Sequence, residues 1–225
     1  MRARGGATLP RMSKRPVRRF LARLLIAMTG WKPEGVRPEM DQFVLIAAPH
    51  TTNWDFVYLL AFAELFELKI SFMAKHSLFW PPLGWFMRAV GGLPVVRHER
   101  GNLVTILAGL FDEHDHLGLV VPAEGTRGHV DYWKSGFYHI ARTAKVPIVM
   151  SFLDYERKVG GFGPAIEPSG DVVADMDRVR AFYADKKGKY PELFGHIRLR
   201  EEDEVGVLVD DVATGPASAA TAVAD

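Results

Sequence analysis

The chain has 225 residues, of which 48% are hydrophobic and 24% charged, the ordinary composition of a globular protein with one sizeable core. It contains no cysteine, which excludes disulfide bonds, thiolate metal ligands and a cysteine nucleophile. The formal net charge of +1 conceals an asymmetry, because residues 1–33 carry nine Lys/Arg and no acid whereas residues 201–225 carry seven Asp/Glu and no base. The basic segment favours an anionic partner, either a phospholipid surface or a nucleic acid.

The first element in chain order is an apolar stretch over residues 20–31, directly after the basic residues. It is too short to span a bilayer, which needs about 20 apolar residues, and Arg23 interrupts it. No small-residue cleavage site follows it, so the pattern is not that of a signal peptide. We expect an amphipathic helix in the membrane interface, with basic residues on lipid headgroups. Its inserted side chains would be Phe20, Leu21, Leu24, Leu25 and Met28. The alternative is a disordered N-terminus that leads into a core-packing helix.

Strand and helix patterns alternate along the rest of the chain. Short continuous apolar runs predict buried strands at residues 43–48, 69–74, 93–96, 118–122 and 147–152. Helices are predicted at residues 54–66, 102–114, 136–144 and 177–188, with a linker at 33–38 and a disordered, low-complexity tail from residue 212. This alternation predicts an α/β fold: a single layered domain with a mixed or largely parallel sheet flanked by helices.

The segment Pro-His-Thr-Thr-Asn-Trp-Asp, residues 49–55, follows the first predicted strand. Residues five apart on one helix point about 140° away from each other, so His50 and Asp55 cannot pair as helical neighbours. If His50 lies in the loop and Asp55 in the first turn, the carboxylate can reach the imidazole. It would then fix the tautomer of His50 and stabilise the imidazolium as His50 takes a proton from a hydroxyl. A structural interpretation stays open, in which His50 caps the helix and Asp55 offsets its dipole.

The segment Glu-Gly-Thr-Arg, residues 124–127, follows another predicted strand. Gly125 permits a tight turn, Thr126 offers a hydroxyl, and Arg127 offers a planar fork for phosphate or carboxylate. The alternative is an internal ion pair between Glu124 and Arg127 that closes the loop. A third segment, residues 91–97, places Arg97 after a short strand.

Together these segments resemble the glycerolipid acyltransferases that act on lysophosphatidic acid and related lysophospholipids. Residues 50–55, HTTNWD, match the His-x4-Asp box of that family, and residues 124–127, EGTR, match its Glu-Gly-Thr-Arg box without change. Residues 91–97 and 146–149 resemble two further blocks, and the blocks occur in the order of the family. Pro94 replaces the aromatic residue of the arginine block, and HTTNWDF is not the commonest filling of the first box, which indicates a subfamily with its own acceptor.

The resemblance implies a glycerol-3-phosphate acyltransferase-like fold and transfer of a fatty acyl group to a hydroxyl of a lysophospholipid such as 1-acylglycerol-3-phosphate. His50 is then the general base and Asp55 orients it, without a covalent acyl-enzyme. Six further positions would bind substrate: Arg97, Glu124, Gly125, Thr126 and Arg127 for the acceptor, and Lys75 for the phosphates of the donor. The donor is acyl-CoA or acyl-carrier protein, and no metal or other cofactor is expected.

This interpretation divides the chain into a basic, membrane-associating arm and linker (residues 1–38), an acyltransferase domain (39–200) and an acidic, disordered tail (201–225). We expect a peripheral protein at the cytoplasmic face of the cell membrane. Its partners would be a lipid acceptor, an anionic membrane surface and, as an alternative donor, acyl-carrier protein. Nucleic acid is not expected, because aliphatic rather than stacking aromatic residues interleave with the basic ones.

Other interpretations remain open at this point. The same chemistry could act on a glycolipid or aminoacyl lipid, or the chain could be a catalytically silent module that binds a lipid surface. Residues 78–87 are rich in aromatic residues and prolines, and form either an interfacial patch or a cover for the core: Phe79, Trp80, Trp85 and Phe86. Residues 112–116 mix His with carboxylates but lie consecutively, which favours a solvated helix end over a metal site.

Overall fold

The computed structural model describes residues 16–95 and 103–203. Within those ranges a single mixed sheet of seven strands forms the centre of the molecule, in the order β1-β7-β6-β2-β5-β3-β4. The strands are β1 (Lys32–Gly35), β2 (Gln42–Ala47), β3 (Ile70–Lys75), β4 (Gly92–Val95), β5 (Leu117–Val121), β6 (Ile148–Asp154) and β7 (Val159–Ile166). Neighbouring strands are parallel except for the antiparallel pair β6 and β7. The predicted α/β fold class is therefore confirmed.

Six α-helices are described in the same ranges. They are α1 (Pro16–Thr29), α2 (Trp54–Leu65), α3 (Leu83–Ala89), α4 (Leu103–Glu113), α5 (Gly136–Ala144) and α6 (Val172–Tyr183). Short 3-10 helices cover His76–Phe79 and Pro191–Leu193. None of the helices in this part of the chain is both long and apolar enough to cross a bilayer.

The central strand β2 is buried on both faces, which explains its continuous apolar sequence. Val44 and Ile46 point into a core shared with α4, α5 and α6. Phe43 and Leu45, which alternate with them, point into a second core beneath α2. This double coverage fixes the register of β2, because a slip of one residue would exchange the two sets of side chains between different cores.

The N-terminal helix α1 has two faces with different surroundings. Ala22 and Ile26 are buried against α2, together with Trp31 just beyond the helix. The opposite face exposes Val17, Phe20, Leu21, Leu24 and Met28 to solvent. The core-packing alternative therefore describes the inner face, and insertion of the outer face into lipid stays a prediction. The preceding residues 1–15 lie outside the described ranges.

The aromatic-rich segment, residues 78–87, contains both buried and exposed aromatic side chains. Phe79 is buried and packs in the core beneath α2, whereas Trp80, Trp85 and Phe86 are exposed. A hydrogen bond from the Arg18 guanidinium to the carbonyl of Ala89 joins the start of α1 to the end of α3. This bond connects α1 to the segment that carries the exposed aromatic side chains.

Most predicted elements match the observed ones within one or two residues; α6, β1 and β7 differ from the prediction, and α3 was not predicted. The helix predicted at residues 177–188 is α6 at Val172–Tyr183, because the Asp171 side chain accepts from the N–H of Ala174 and starts it earlier. Strand β1 occupies part of the predicted linker. Strand β7 is Gly-rich because a Cβ on Gly161 would lie 1.9 Å from the carbonyl oxygen of Glu34 on β1. Most of the predicted tail, residues 204–225, lies outside the described ranges.

Candidate active site

The candidate site lies where β2 and β5 end. These strands are parallel and adjacent, with Ile46 opposite Val121, so the segments that follow them emerge side by side at one edge of the sheet. The segment after β2 is the loop that leads into α2, and the segment after β5 is the Glu-Gly-Thr-Arg turn. Polar groups at the carboxyl ends of adjacent parallel strands are the usual starting point of a site in an α/β fold.

His50 lies in the loop after β2 and Asp55 in the first turn of α2. His50 Nδ1 is 3.4 Å from Asp55 Oδ2, although the two residues are five apart in the sequence. The same Oδ2 accepts hydrogen bonds of 2.8 Å from the backbone N–H groups of Thr51 and Thr52. Asp55 therefore bends the loop back over the start of the helix, and this bend brings the imidazole to the carboxylate.

The second oxygen of Asp55 also accepts a hydrogen bond. The hydroxyl of Tyr155, in the loop after β6, donates to Asp55 Oδ1 over 2.7 Å. Asp55 is buried, with only 4% of its surface exposed. A buried carboxylate that accepts several hydrogen bonds keeps its orientation, which is what orienting an imidazole requires.

Glu124 holds the same loop from the opposite side. It is fully buried, and its Oε1 accepts a 2.6 Å hydrogen bond from the backbone N–H of His50. Its Oε2 has no hydrogen-bond partner among the described residues. Burial raises the pKa of Glu124 to about 7, against smaller lowering effects of the His50 N–H and imidazole, and the charge of Asp55 raises it further. Glu124 thus supports the His50 backbone, and its contact with an acceptor stays a prediction.

A cavity of about 860 Å³ opens beside these groups. His50 and Asp55 form part of its wall, and the side chain of His50 is 16% exposed. Most of the remaining wall is apolar and comes from β3, α2 and α4: Phe72, Met73, Leu59, Leu103, Val104 and Leu107. The combination of an apolar cavity with a few converging polar groups is typical of a small-molecule site.

Two cations stand on the polar wall of the cavity. Arg127 and Lys134 both line it, both are exposed, and neither side chain has an ion pair or hydrogen bond to another described residue. Glu124 and Arg127 do not form the internal ion pair considered from the sequence, within the described part of the chain.

Gly125 has a φ of +70°, and a Cβ there would lie 2.9 Å from Cγ of Lys134. The glycine therefore lets the turn form and leaves room for the lysine stem.

The remaining predicted positions do not all meet at this cavity. Gly125, Thr126 and Arg127 line it, whereas Lys75 is exposed at the end of β3 and is not part of the wall. Arg97 lies outside the described residues. Residues 112–116 are exposed, and the described ranges contain no group of three or more His, Cys, Asp or Glu side chains placed to hold a metal ion.

Two residues of the site were missed in the sequence. Tyr155 is separated from Asp55 by 100 positions, and no spacing pattern connects them. The available signal was its place after β6, which is parallel to β2 and therefore ends at the same edge of the sheet. Lys134 follows the Glu-Gly-Thr-Arg turn and returns to it because its N–H donates to the carbonyl of Ala123 over 2.7 Å.

Several known proteins are similar to this chain. A sequence profile described as Acyltransferase matches residues 32–151, somewhat more than half of the chain. A 1-acyl-sn-glycerol-3-phosphate acyltransferase of Streptococcus pneumoniae is 34% identical over 114 residues, which cover 50% of this chain and 42% of that relative. The match thus spans less than half of the relative's length. The crystal structure of the 1-acyl-sn-glycerophosphate (LPA) acyltransferase PlsC from Thermotoga maritima has a TM-score of 0.50 at 16% identity, covers 75% of this chain and 74% of its own, and is similar in fold.

The raised pKa of Glu124 predicts a specific pH dependence of stability. The folded state keeps a proton up to about pH 7 that the unfolded state releases near 4.5, so stability falls as pH rises between these values. We expect the free energy of unfolding of the wild type to fall by about 3 kcal/mol relative to Glu124→Gln between pH 4.5 and 8. Urea denaturation at both pH values measures this difference. The exposed Glu192→Gln is the matched control, and a difference that does not change with pH would contradict the prediction.

Proposed function

Because the chain belongs to the acyltransferase family, whose profile covers more than half of it, we propose that it transfers a fatty acyl group from a thioester to a hydroxyl of a lysophospholipid such as 1-acylglycerol-3-phosphate. The family membership confirms the resemblance inferred from the His-x4-Asp and Glu-Gly-Thr-Arg boxes. The single observation that carries the proposal is the contact of His50 Nδ1 with Asp55 Oδ2 on the wall of a largely apolar cavity. The donor is acyl-CoA or acyl-carrier protein, and both present a thioester.

His50 acts as the general base in this proposal. With Asp55 at Nδ1, the neutral imidazole carries its proton on that nitrogen and presents Nε2 to the cavity as the acceptor. As the acceptor hydroxyl gives its proton to Nε2, its oxygen attacks the thioester carbonyl. The tetrahedral intermediate then expels the thiolate, which takes the proton from His50, so the products are an ester and a free thiol.

A covalent acyl-enzyme is not part of the proposed reaction. The sequence has no cysteine, and no serine lies in a Gly-x-Ser-x-Gly elbow. Among the described residues of the cavity wall the one serine is Ser151, which donates its hydroxyl to the carbonyl of Ile46 and is buried in the sheet. Direct attack by the acceptor hydroxyl is therefore favoured over a two-step transfer.

Arg127 and Lys134 support a phosphorylated acceptor. Both stand on the cavity wall without an acidic partner in the described ranges, so an incoming dianion would supply their missing counter-charge. The arginine fork suits two phosphate oxygens, and the lysine adds a second charge from across Gly125. A glycolipid without phosphate would leave both cations unpaired. Lys75, at the end of β3, is proposed to meet the phosphates of the donor.

A membrane surface is the proposed working environment. The outer face of α1 exposes five apolar side chains, Trp85 and Phe86 are exposed on α3, and Trp80 is exposed just before it. Arg23 lies among the exposed apolar residues of α1 and suits contact with an anionic headgroup. We propose peripheral attachment at the cytoplasmic face of the cell membrane, with these side chains in the interface and the lipid substrates entering the cavity from it.

Removing the general base tests the proposed reaction. We expect His50→Gln to lower kcat for thiol release by roughly 1,000-fold, because a positioned base contributes two to four orders of magnitude. Thiol release from acyl-CoA and from acyl-carrier protein, with 1-acylglycerol-3-phosphate as acceptor, is the measurement. The exposed His114→Ala is the matched control and should keep the wild-type rate. If neither the wild type nor His50→Gln releases thiol with any acceptor of a broad panel, the alternative of a lipid-binding module without catalytic activity would be favoured.

Neutralising either cation tests the acceptor class. We expect Arg127→Ala and Lys134→Ala each to raise KM for 1-acylglycerol-3-phosphate roughly 10- to 100-fold, because a hydrogen bond to a charged group is worth about 1.5–3 kcal/mol. The effect on kcat should be smaller. Arg178→Ala removes an exposed arginine of α6 as a control. An equal loss with a non-phosphorylated acceptor would refute phosphate recognition by these side chains.

The outer face of α1 can be changed without touching its inner face. We expect the triple substitution Leu21→Ser, Leu24→Ser and Met28→Ser to lower partition onto anionic liposomes on the order of tenfold or more, because each loses apolar burial in the interface. Co-sedimentation measures the partition. Ile106→Ser, which changes an exposed apolar residue of α4, is the control. Unchanged partition of the triple variant would exclude α1 as the attachment surface.

A further inference from the structure

The hydroxyl of Tyr155 donates a hydrogen bond to the oxygen of Asp55 that does not face His50. This hydroxyl is 2.7 Å from Asp55 Oδ1, while Oδ2 carries the contact with His50 Nδ1 and the two backbone hydrogen bonds from Thr51 and Thr52. Within the described ranges, no other group hydrogen-bonds Oδ1. Tyr155 is not part of the cavity wall, so it touches the reacting groups only through Asp55.

The hydrogen bond to Oδ1 opposes rotation of the carboxylate. The carboxylate turns about the Cβ–Cγ bond, so a turn that carries Oδ2 away from the imidazole also carries Oδ1 away from the Tyr155 hydroxyl. The bond from Tyr155 therefore acts together with the two backbone N–H groups to keep Oδ2 beside the imidazole. Burial raises the pKa of the Tyr155 hydroxyl well above its ordinary value, and Asp55 raises it further, so Tyr155 remains a donor throughout the working pH range.

Tyr155 is itself held on three sides. Its backbone N–H donates to the carbonyl of Lys187 over 2.9 Å. The ring of Trp31 packs edge-on against it with centroids 4.9 Å apart, and the ring of Tyr58 lies 6.2 Å away at a similar angle. Trp31 is buried and follows α1 directly, where its N–H donates to the carbonyl of Ile26. The end of α1 is therefore connected through two aromatic rings to the carboxylate beside His50.

We propose that Tyr155 is a positioning residue of the acyl-transfer site: its hydroxyl holds Asp55 Oδ1 so that Oδ2 stays on His50 Nδ1, and Trp31 holds the ring of Tyr155 in place. The proposal rests on the proposed function, because it assigns Tyr155 a role in keeping His50 in the tautomer of a base. It also gives the C-terminal end of α1 a part in supporting the reaction, in addition to any contact with lipid.

The test removes the hydroxyl and keeps the ring. We expect Tyr155→Phe to lower kcat roughly 10- to 100-fold, because a hydrogen bond to a charged group is worth about 1.5–3 kcal/mol, and to leave KM for donor and acceptor within about twofold. Tyr58→Phe removes the neighbouring hydroxyl, which makes no hydrogen bond in the described ranges, and should keep wild-type kinetics. A kcat of Tyr155→Phe within twofold of the wild type would overturn the proposal.

A double-mutant cycle separates positioning from general damage to the fold. If Tyr155 acts through Asp55, then Tyr155→Phe should have no further effect on kcat in an Asp55→Asn background. An equal loss in both backgrounds would overturn the proposal, since it would show an effect independent of Asp55. Trp31→Leu should lower kcat in the wild type and lose most of that effect in Tyr155→Phe, while circular dichroism reports whether each variant is folded.

A second measurement does not depend on turnover. The ¹⁵N spectrum of His50, assigned by comparison with His50→Gln, reports which ring nitrogen carries the proton. We expect the Nδ1–H tautomer in the wild type and a mixture of tautomers in Tyr155→Phe; identical tautomer populations would overturn the proposal. If the wild type releases no thiol with any acceptor, the proposed function fails, and this spectrum still decides the role of Tyr155.

Discussion

The backward reach of Asp55 is the interaction on which the site depends. A carboxylate in the first turn of α2 accepts from the N–H groups of Thr51 and Thr52, which precede it in the loop. These bonds lie outside the helix, and they bend the loop so that His50 meets a residue five positions away. One buried group thus shapes the loop and orients the imidazole of His50. Removing it would affect both at once.

Two carboxyl groups flank His50, and their surroundings give them opposite roles. Asp55 accepts three hydrogen bonds, which fix the position of both of its oxygens. Glu124 is fully buried and its Oε2 has no hydrogen-bond partner among the described residues, so burial favours its protonated form up to about pH 7. A neutral carboxyl can support the His50 backbone without adding a second negative charge beside the imidazole. One carboxyl group therefore serves as the partner of the imidazole, and the other as a support of the backbone.

The parts of the molecule that follow from local sequence were predictable. Strand β2 is buried on both faces and reads as a continuous apolar run, and the polar segments after β2 and β5 had to meet because those strands are parallel neighbours. Strands β1 and β7 were not predictable, since glycine and proline are uncommon inside strands, and the need for Gly161 comes from its close approach to Glu34 across the pair. Tyr155 was missed for a related reason: its partner is set by sheet order, which short-range periodicity does not encode.

The pairing of β1 with β7 has a consequence for the order of assembly. Lys32 lies opposite Val159, so the first strand of the sheet can be completed only after almost the whole domain has left the ribosome. The inner face of α1 packs on α2, which is synthesised long before β7, so this helix can dock before the sheet is complete. The loop that β1 and β7 close is long, but each doubling of loop length costs only about 0.6 kcal/mol, so the late closure adds little entropic cost.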